Sequence, residues 1–269
     1  MKTVVVVIIA HKNQLSDDEQ KSLAQCYKIL GRHEIRLVCP EGLDVSVYKR
    51  INPSVEVDYI HPKWQSTYAQ FNELKKSRLL LERYQEFRFV LFYELDAWVF
   101  KDDLEYWCSK EFDYIGAPWF TGWHEATEEK VMIGVGNGGL SLRKIDNGLV
   151  ILNRVRLIRA LHKMRLTRIE DGKFAFRFNQ SVFNKIFKIK DPAVLQKIVQ
   201  YSPVNEDFFW CMLIGKAFSD FNIAPVTEAR HFSFEANPAL LFKENNGQLP
   251  FGCHAWRRYD PAFWAQHIN

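Results

Sequence analysis

The 269-residue sequence predicts an α/β fold, a mixed and mostly parallel sheet flanked by helices, on three observations. Residues 4–9 are an unbroken apolar, β-branched run, the pattern of a strand covered on both faces. Strand-like runs then alternate with helical stretches through the first hundred residues, which requires crossovers and hence parallel pairing. The fourth such run, residues 87–92, leads directly into Glu94-Leu95-Asp96. In sheets of this kind ligands sit at the carboxyl ends of the strands.

Each element has its own signal. Ser16 with Glu19 three residues on forms a capping box and opens a helix through about Leu30, which Gly31 stops. Residues 35–38 read as a second strand closed by Pro40, residues 55–60 as a third, and residues 67–84 as a helix before the fourth. Farther on the periodicity is less regular. A short helix over 104–109 and a short strand over 114–116 precede a loop at 134–138 and a strand at 139–143. Helices are expected over 149–166, 193–200 and 206–217, then a strand over 223–226 and an aromatic-rich, loop-like tail. A regular stretch of about residues 1–100 followed by an irregular one over 101–269 reads as one domain with a nucleotide half and an acceptor half.

Composition narrows the classes of function. With 47% hydrophobic and 25% charged residues the chain is of ordinary globular type, and its 14% aromatic content can supply both core and flat walls for sugar rings or nucleobases. The net charge of +4 implies no polyelectrolyte partner, and no nucleic-acid module accompanies the basic residues. Five scattered cysteines without CxxC spacing point to reduced thiols in a cytoplasmic setting, not to disulfides or zinc. The apolar run at residues 4–10 is too short to span a bilayer and lacks a following cleavage site, so it is expected to be a buried strand. Residues 154–190 carry eleven Lys or Arg against Glu170 and Asp171. That segment either rests peripherally on anionic lipid headgroups of the inner membrane face or is a solvated helical surface.

Four segments could carry chemistry. Glu94 and Asp96, at i and i+2 past a buried strand, point to one side of an extended chain, and paired hard oxygen ligands there suit Mg²⁺ or Mn²⁺ carrying a diphosphate. Two solvated acids in a turn would look the same. The run Gly136-Asn137-Gly138-Gly139 permits a tight loop with exposed amides beside a ligand, or a plain turn into a strand. It fits neither GxGxxG before a helix nor a P-loop, which disfavours dinucleotide redox chemistry and NTP hydrolysis. In Asn205-Glu206-Asp207, Asn205 suits a helix N-cap and the acids suit the first turn, and either acid could also deprotonate an acceptor hydroxyl. His254, between Gly252 and Trp256, would join Asp96 at a metal only if the tail folds back across the sheet.

Taken in order, these segments resemble an uncharacterised bacterial group of GT-A-like glycosyltransferases found among surface-polysaccharide genes. The resemblance rests on residues 4–9 and 92–100, Asp113-Tyr114-Ile115-Gly116-Ala117-Pro118-Trp119, residues 136–143, Glu206-Asp207 and Phe232-Ser233-Phe234-Glu235. It implies a nucleotide-sugar donor, expected to be a UDP-sugar, and a saccharide or lipid-linked saccharide acceptor. By position it implies a divalent metal (Mn²⁺ or Mg²⁺) on Asp96 with Glu94 and His254, and Asp207 or Glu206 as the base of an inverting transfer. His11 and Lys12 would lie against the donor; Trp119, Asn137, Gly138 and Gly139 are assigned to the acceptor. The acid motif departs from the usual DxD, being ExD with a bulky Leu95. Two rivals remain: a sugar-phosphate nucleotidyltransferase, which would want glycines where Ala10-His11-Lys12-Asn13 stands, and a noncatalytic carbohydrate-binding protein on a degenerate transferase fold.

Overall fold

The apolar run near the N-terminus is covered on both faces because it becomes an interior strand. In the computed structural model, which describes residues 1–122, 130–177, 179–200 and 203–268, β1 (Lys2–Ile9) pairs in parallel with β2 (Glu34–Pro40) and with β4 (Phe87–Tyr93). β3 (Glu56–Ile60) extends the parallel set beyond β2. On the other side β9 (Leu140–Lys144) pairs antiparallel with β4, and β6 (Tyr114–Ile115) pairs antiparallel with β9. The order across the six-stranded sheet is β3-β2-β1-β4-β9-β6. The sheet is thus mixed, mostly parallel and flanked by helices.

Strand alternation divides the core in two. Val5, Val7 and Ile9 face one apolar cluster, while Val4, Val6 and Ile8 face a second that includes Leu23 and Cys26 of α1 (Asp17–Leu30). The capping box of α1 forms as expected: Glu19 N–H donates to Ser16 Oγ, and Ser16 N–H donates to Glu19 Oε2 at 2.8 Å. All five cysteines are buried and none is bridged.

Several expected elements differ. A short helix, α2 (Ser46–Ile51), stands where none was read. The helix expected over 67–84 is two, α3 (Tyr68–Lys76) and α4 (Arg78–Arg83), because Ser77 is extended at φ −84° and ψ 160°. The expected helix over 104–109 forms as α5 (Leu104–Ser109). Gly134 and Gly136 belong not to a loop but to β8 (Met132–Gly136), which pairs antiparallel with β7 (Ala117–Phe120) under the indole of Trp119. The next helix begins early, as α6 (Ile145–Lys163). A hairpin, β10 (Thr167–Glu170) with β11 (Lys173–Phe176), follows it and was also not anticipated.

The strand expected over 223–226 does not form. Ile223 makes one isolated bridge to Tyr114, and Pro225, with no N–H to give a ladder, caps a helix over Val226–Phe232. The tail is not loop-like either. It supplies β12 (Ser233–Phe234) and β13 (Gly252–His254), which join β5 (Ala97–Val99) in a three-stranded sheet. Its aromatic residues explain this: Phe234, Trp256 and Trp264 are buried in a third cluster with Trp98. No helix among the described residues is long and apolar enough to cross a membrane.

Gly116, between β6 and β7, is a point of close approach, since a Cβ there would lie 1.8 Å from the Gly136 carbonyl oxygen. Gly116→Ala is therefore expected to cost about 1–3 kcal/mol of stability, read as a lowered urea midpoint at unchanged slope.

Candidate functional site

The acids of residues 94–96 lie where three segments are brought together by strand register. β4 ends at Tyr93, paired with Leu140 of β9, and the Glu94 N–H donates to the Gly139 carbonyl at 2.7 Å. The chain then turns, and Tyr93 holds the turn by donating its hydroxyl to the Ala97 carbonyl at 3.0 Å. β5 leaves the turn paired antiparallel with β13, so that His254 stands opposite Ala97 and the Ala255 N–H donates to the Asp96 carbonyl at 2.9 Å. The tail thus folds back, and His254 arrives beside the two acids.

Glu94, Asp96 and His254 each present a ligand atom within 4.8 Å of the others. His254 Nε2 is 3.0 Å from Asp96 Oδ1 and 3.8 Å from Glu94 Oε2, yet it makes no aligned hydrogen bond and is buried. Nδ1 lies 3.0 Å from Glu235 Oε1. A carboxylate on the far ring nitrogen fixes the tautomer and orientation that a metal-ligating imidazole needs. One imidazole and two carboxylates, converging beside a cavity, fit a hard divalent cation. Burial alone would raise the Asp96 carboxyl, but the adjoining His254 holds it below the ordinary range; burial would lower the imidazole, and its carboxylate neighbours raise it instead.

Beneath this trio lies a charge cluster that sequence reasoning missed. Lys75 of α3 is almost wholly buried, its side chain 1% exposed, and its ammonium donates to Glu94 Oε1 and to the Gly138 carbonyl, each at 2.7 Å. It also lies 3.1 Å from Glu206 Oε1, while Arg143 of β9 lies 2.7 Å from Glu206 Oε2. Burial opposes the charge on Lys75, yet Glu206 and Glu94 raise its pKa above the ordinary value. Burial would likewise raise Glu94, but Lys75 and His254 hold its carboxyl well below the usual range.

The glycine loop serves packing as much as exposure. A Cβ on Gly138 would lie 1.8 Å from Glu206 Oε1, and one on Gly139 would lie 2.0 Å from His254 Nε2. Asn137, expected to meet the acceptor, is buried at φ 75°, and its Oδ1 accepts from the Gly139 N–H at 3.0 Å. Its side chain shapes the loop because the carbonyl oxygen is already taken by the backbone.

Of the two acids at 206 and 207, Glu206 is taken. Both its oxygens lie against buried cations, Lys75 and Arg143. The N-cap expectation changes. Asn205 makes no side-chain capping bond, and the Glu206 N–H donates to Asn72 Oδ1 at 2.8 Å. Asp207 turns the other way, into a cavity of about 460 Å³ walled by Trp119, Phe208 and Tyr259 and shared with Glu235. Burial, and then the charge of Glu206, pushes the Asp207 carboxyl up to about 6. Phe209 and Trp210 anchor this segment in the core, and the turn they begin, Phe209–Ile214, is a π-helix, a form frequent at functional sites.

A second cavity, of about 470 Å³, opens at the ends of β1 and β4 between His11, Lys12, Tyr68, Phe71, Glu94 and Asp96. His11 is exposed there, and Lys12 is ion-paired with Glu19. His254 stands between the cavities, with Nε2 toward the acids of one and Nδ1 on the Glu235 carboxylate of the other.

The profile of a family described as "Protein of unknown function (DUF5672)" matches residues 54–254, more than half of the chain. The chain belongs to the DUF5672 family. The matched stretch runs from just before β3 to His254 and so contains every residue of the charge cluster and the trio. No curated protein matches the chain. Among solved structures, the chain is similar to the apo structure of the bifunctional glycosyltransferase WbbM, with 11% identity and a TM-score of 0.48. That match covers 94% of this chain and 46% of the other, so the chain spans about half of WbbM's length.

Some of what was missed had a signal. Leu140-Ser141-Leu142-Arg143 alternates in polarity although β9 lies inside the sheet, which marks a polar face turned to a cavity or a buried charge. Glu235 directly follows a buried strand, as Glu94 does. Lys75 offered none: a lysine in a helix of mixed polarity is ordinarily solvated.

Lys75→Met would leave Glu94 and Glu206 without their shared cation. It is expected to cost about 3–5 kcal/mol of stability in urea unfolding, because an uncompensated buried charge is far more costly than a missing pair.

Proposed function

We propose that the chain is a glycosyltransferase that moves a sugar from a UDP-sugar to a hydroxyl of a saccharide, free or lipid-linked, with inversion. The observation that carries the reading is the pairing of cavities: one at the strand ends beside Glu94 and Asp96, the other holding a carboxylate with its pKa near 6, and His254 between them. The expected donor position at His11 and Lys12 and the expected acceptor wall at Trp119 lie in these separate cavities.

In this reading the donor's diphosphate lies beside Glu94, Asp96 and His254, and its nucleoside lies along Tyr68 and Phe71. A divalent cation held by those three groups would neutralise the charge that grows on the leaving diphosphate. The acceptor lies against Trp119 and Tyr259, aromatic faces suited to a sugar ring. The described residues around the cavity that holds Asp207 include two carboxylates and no Lys or Arg, which favours a neutral saccharide over a phosphorylated one. Asp207 accepts the acceptor's proton as the hydroxyl oxygen bonds to the anomeric carbon. The bond from that carbon to the diphosphate oxygen breaks, and its electron pair leaves with the nucleotide. A carboxylate with a pKa near 6 is mostly ionised at neutral pH yet more basic than an ordinary one, as a general base should be.

The nucleotidyltransferase reading gains nothing, since Lys12, the one cation straight after β1, is already paired with Glu19 and no glycine accompanies it. A purely carbohydrate-binding protein would have no use for a poised base.

Two experiments test the reading. Calorimetry with the common nucleotide sugars, with and without Mn²⁺, is expected to show UDP-sugar binding that the metal strengthens; Asp96→Ala and His254→Ala should lose the metal effect and turnover. Absence of binding by every nucleotide sugar would sink the transferase assignment, whereas full activity in EDTA would remove only the metal. The second is a pH profile of kcat. A base must be ionised to act, so turnover should fall as pH drops through about 6, the raised pKa of Asp207. Asp207→Asn should lower kcat about a hundredfold or more with donor binding nearly intact. A product that keeps the donor's anomeric configuration would rule out inversion.

A further inference from the structure

Some cations of residues 154–190 are already engaged. Arg154 pairs with Asp220 at 2.7 Å, Arg168 with Glu170 at 2.9 Å, and Arg159 donates to the Ile198 carbonyl at 2.7 Å. Arg156 and Lys163 behave differently. They stand seven residues apart on α6, hence on one face, and both line a cavity of about 360 Å³ that lies apart from the two described above. Lys76 and Arg78, at the junction of α3 and α4, line it from one side, and Lys197, on the helix Pro192–Val199, lines it from another. Leu152, Val155 and Phe209 give it an apolar wall. Glu73 is the one carboxylate among the described lining residues, and it is taken by Lys76 at 2.7 Å. Among the described residues, Arg156, Lys163 and Lys197 have no carboxylate within ion-pair distance. Like charges gathered on a concave, partly apolar surface repel one another until an anion enters.

The neighbouring face of the same helix is apolar and uncovered. Val150 and Leu157 are each 49% exposed and Met164, at the helix end, is 58% exposed; their seven-residue spacing sets them in one line. Leu157 follows Arg156 and Met164 follows Lys163, so the apolar line lies about 100° around the helix from the cations. A free phosphate would account for the cavity but not for this line. A surface that joins cations to exposed apolar side chains along one helix matches an anionic membrane, where headgroups meet the first and are interleaved by the second.

We propose that the exposed face of α6 docks on the anionic surface of a lipid bilayer. Arg156, Lys163 and Lys197 hold a headgroup phosphate at the cavity, and Leu157 and Met164 enter the interfacial layer. The docking is independent of the chemistry at Glu94, Asp96 and His254 and stands whether or not that site transfers sugars.

The test is flotation of the full chain with vesicles of phosphatidylglycerol in phosphatidylcholine, against phosphatidylcholine alone, with melting temperatures recorded in inorganic phosphate. The wild type is expected on the anionic vesicles at least about tenfold over the neutral ones, a preference that added salt weakens. R156E/K163E/K197E, changed only at exposed positions, should melt as the wild type does and lose that preference. L157S/M164S, with net charge unchanged, should bind anionic vesicles several-fold more weakly. A wild type that ignores anionic vesicles overturns the proposal, as does a charge-reversed variant that floats as the wild type does. A wild type stabilised by inorganic phosphate but absent from vesicles also overturns it, since the cavity would then serve a soluble phosphate.

Discussion

An ammonium taken almost wholly out of water needs opposite charge close by, and Lys75 finds it on two sides at once. Glu94 Oε1 lies at 2.7 Å and Glu206 Oε1 at 3.1 Å, with the Gly138 carbonyl as a further acceptor at 2.7 Å. These three groups come from the end of β4, from the start of the segment bearing Asp207 and from the loop before β9. One buried cation therefore fixes the relative positions of the acid turn, the glycine loop and the poised carboxylate. Arg143 completes the balance by neutralising the other oxygen of Glu206, and its guanidinium lies over the Phe92 ring at 4.6 Å. Removing any member would strand a charge in a region of low dielectric, which is why the cluster holds its geometry.

That constraint also divides labour between neighbouring acids. Glu206 is bound by two cations, Lys75 and Arg143. Its charge adds to burial in lifting the Asp207 carboxyl. Adjacent residues at a helix start diverge, so one turns to the cluster and the other to the cavity walled by Trp119 and Tyr259. On the opposite side of the cluster, Lys75 occupies Oε1 of Glu94 and leaves Oε2 toward His254. The same set of charges thus orients both the proposed base and the proposed cation ligands.

Glycine matters here through absence of bulk. The carboxylate of Glu206 and the imidazole of His254 press against Gly138 and Gly139 at distances that no Cβ would tolerate. The loop that looks like a ligand-binding turn in the sequence is therefore also the floor on which the charged groups rest. Asn137 holds that floor in shape from below, with its side chain turned inward.

Local chemistry determined a good part of this protein. The β-branched run of β1, the capping box of α1 and the acids just past β4 each depend on neighbours in sequence, so the mostly parallel sheet and the place of Glu94 and Asp96 could be read directly. A break set by packing could not: Ser77 divides a helix that periodicity joins, whereas Pro225, which turns an expected strand into a helix start, acts through its own missing N–H. Long-range pairing decided the rest. His254 meets Asp96 only because β13 pairs with β5, a contact across more than 150 residues driven by burial of the tail's aromatic side chains. Lys75 and Arg143 become buried partners of Glu206 only once α3, β9 and the 206–208 segment pack together. A charge is read from the sequence, but whether it is solvated or buried is a property of the space around it, and that space exists only in the folded chain.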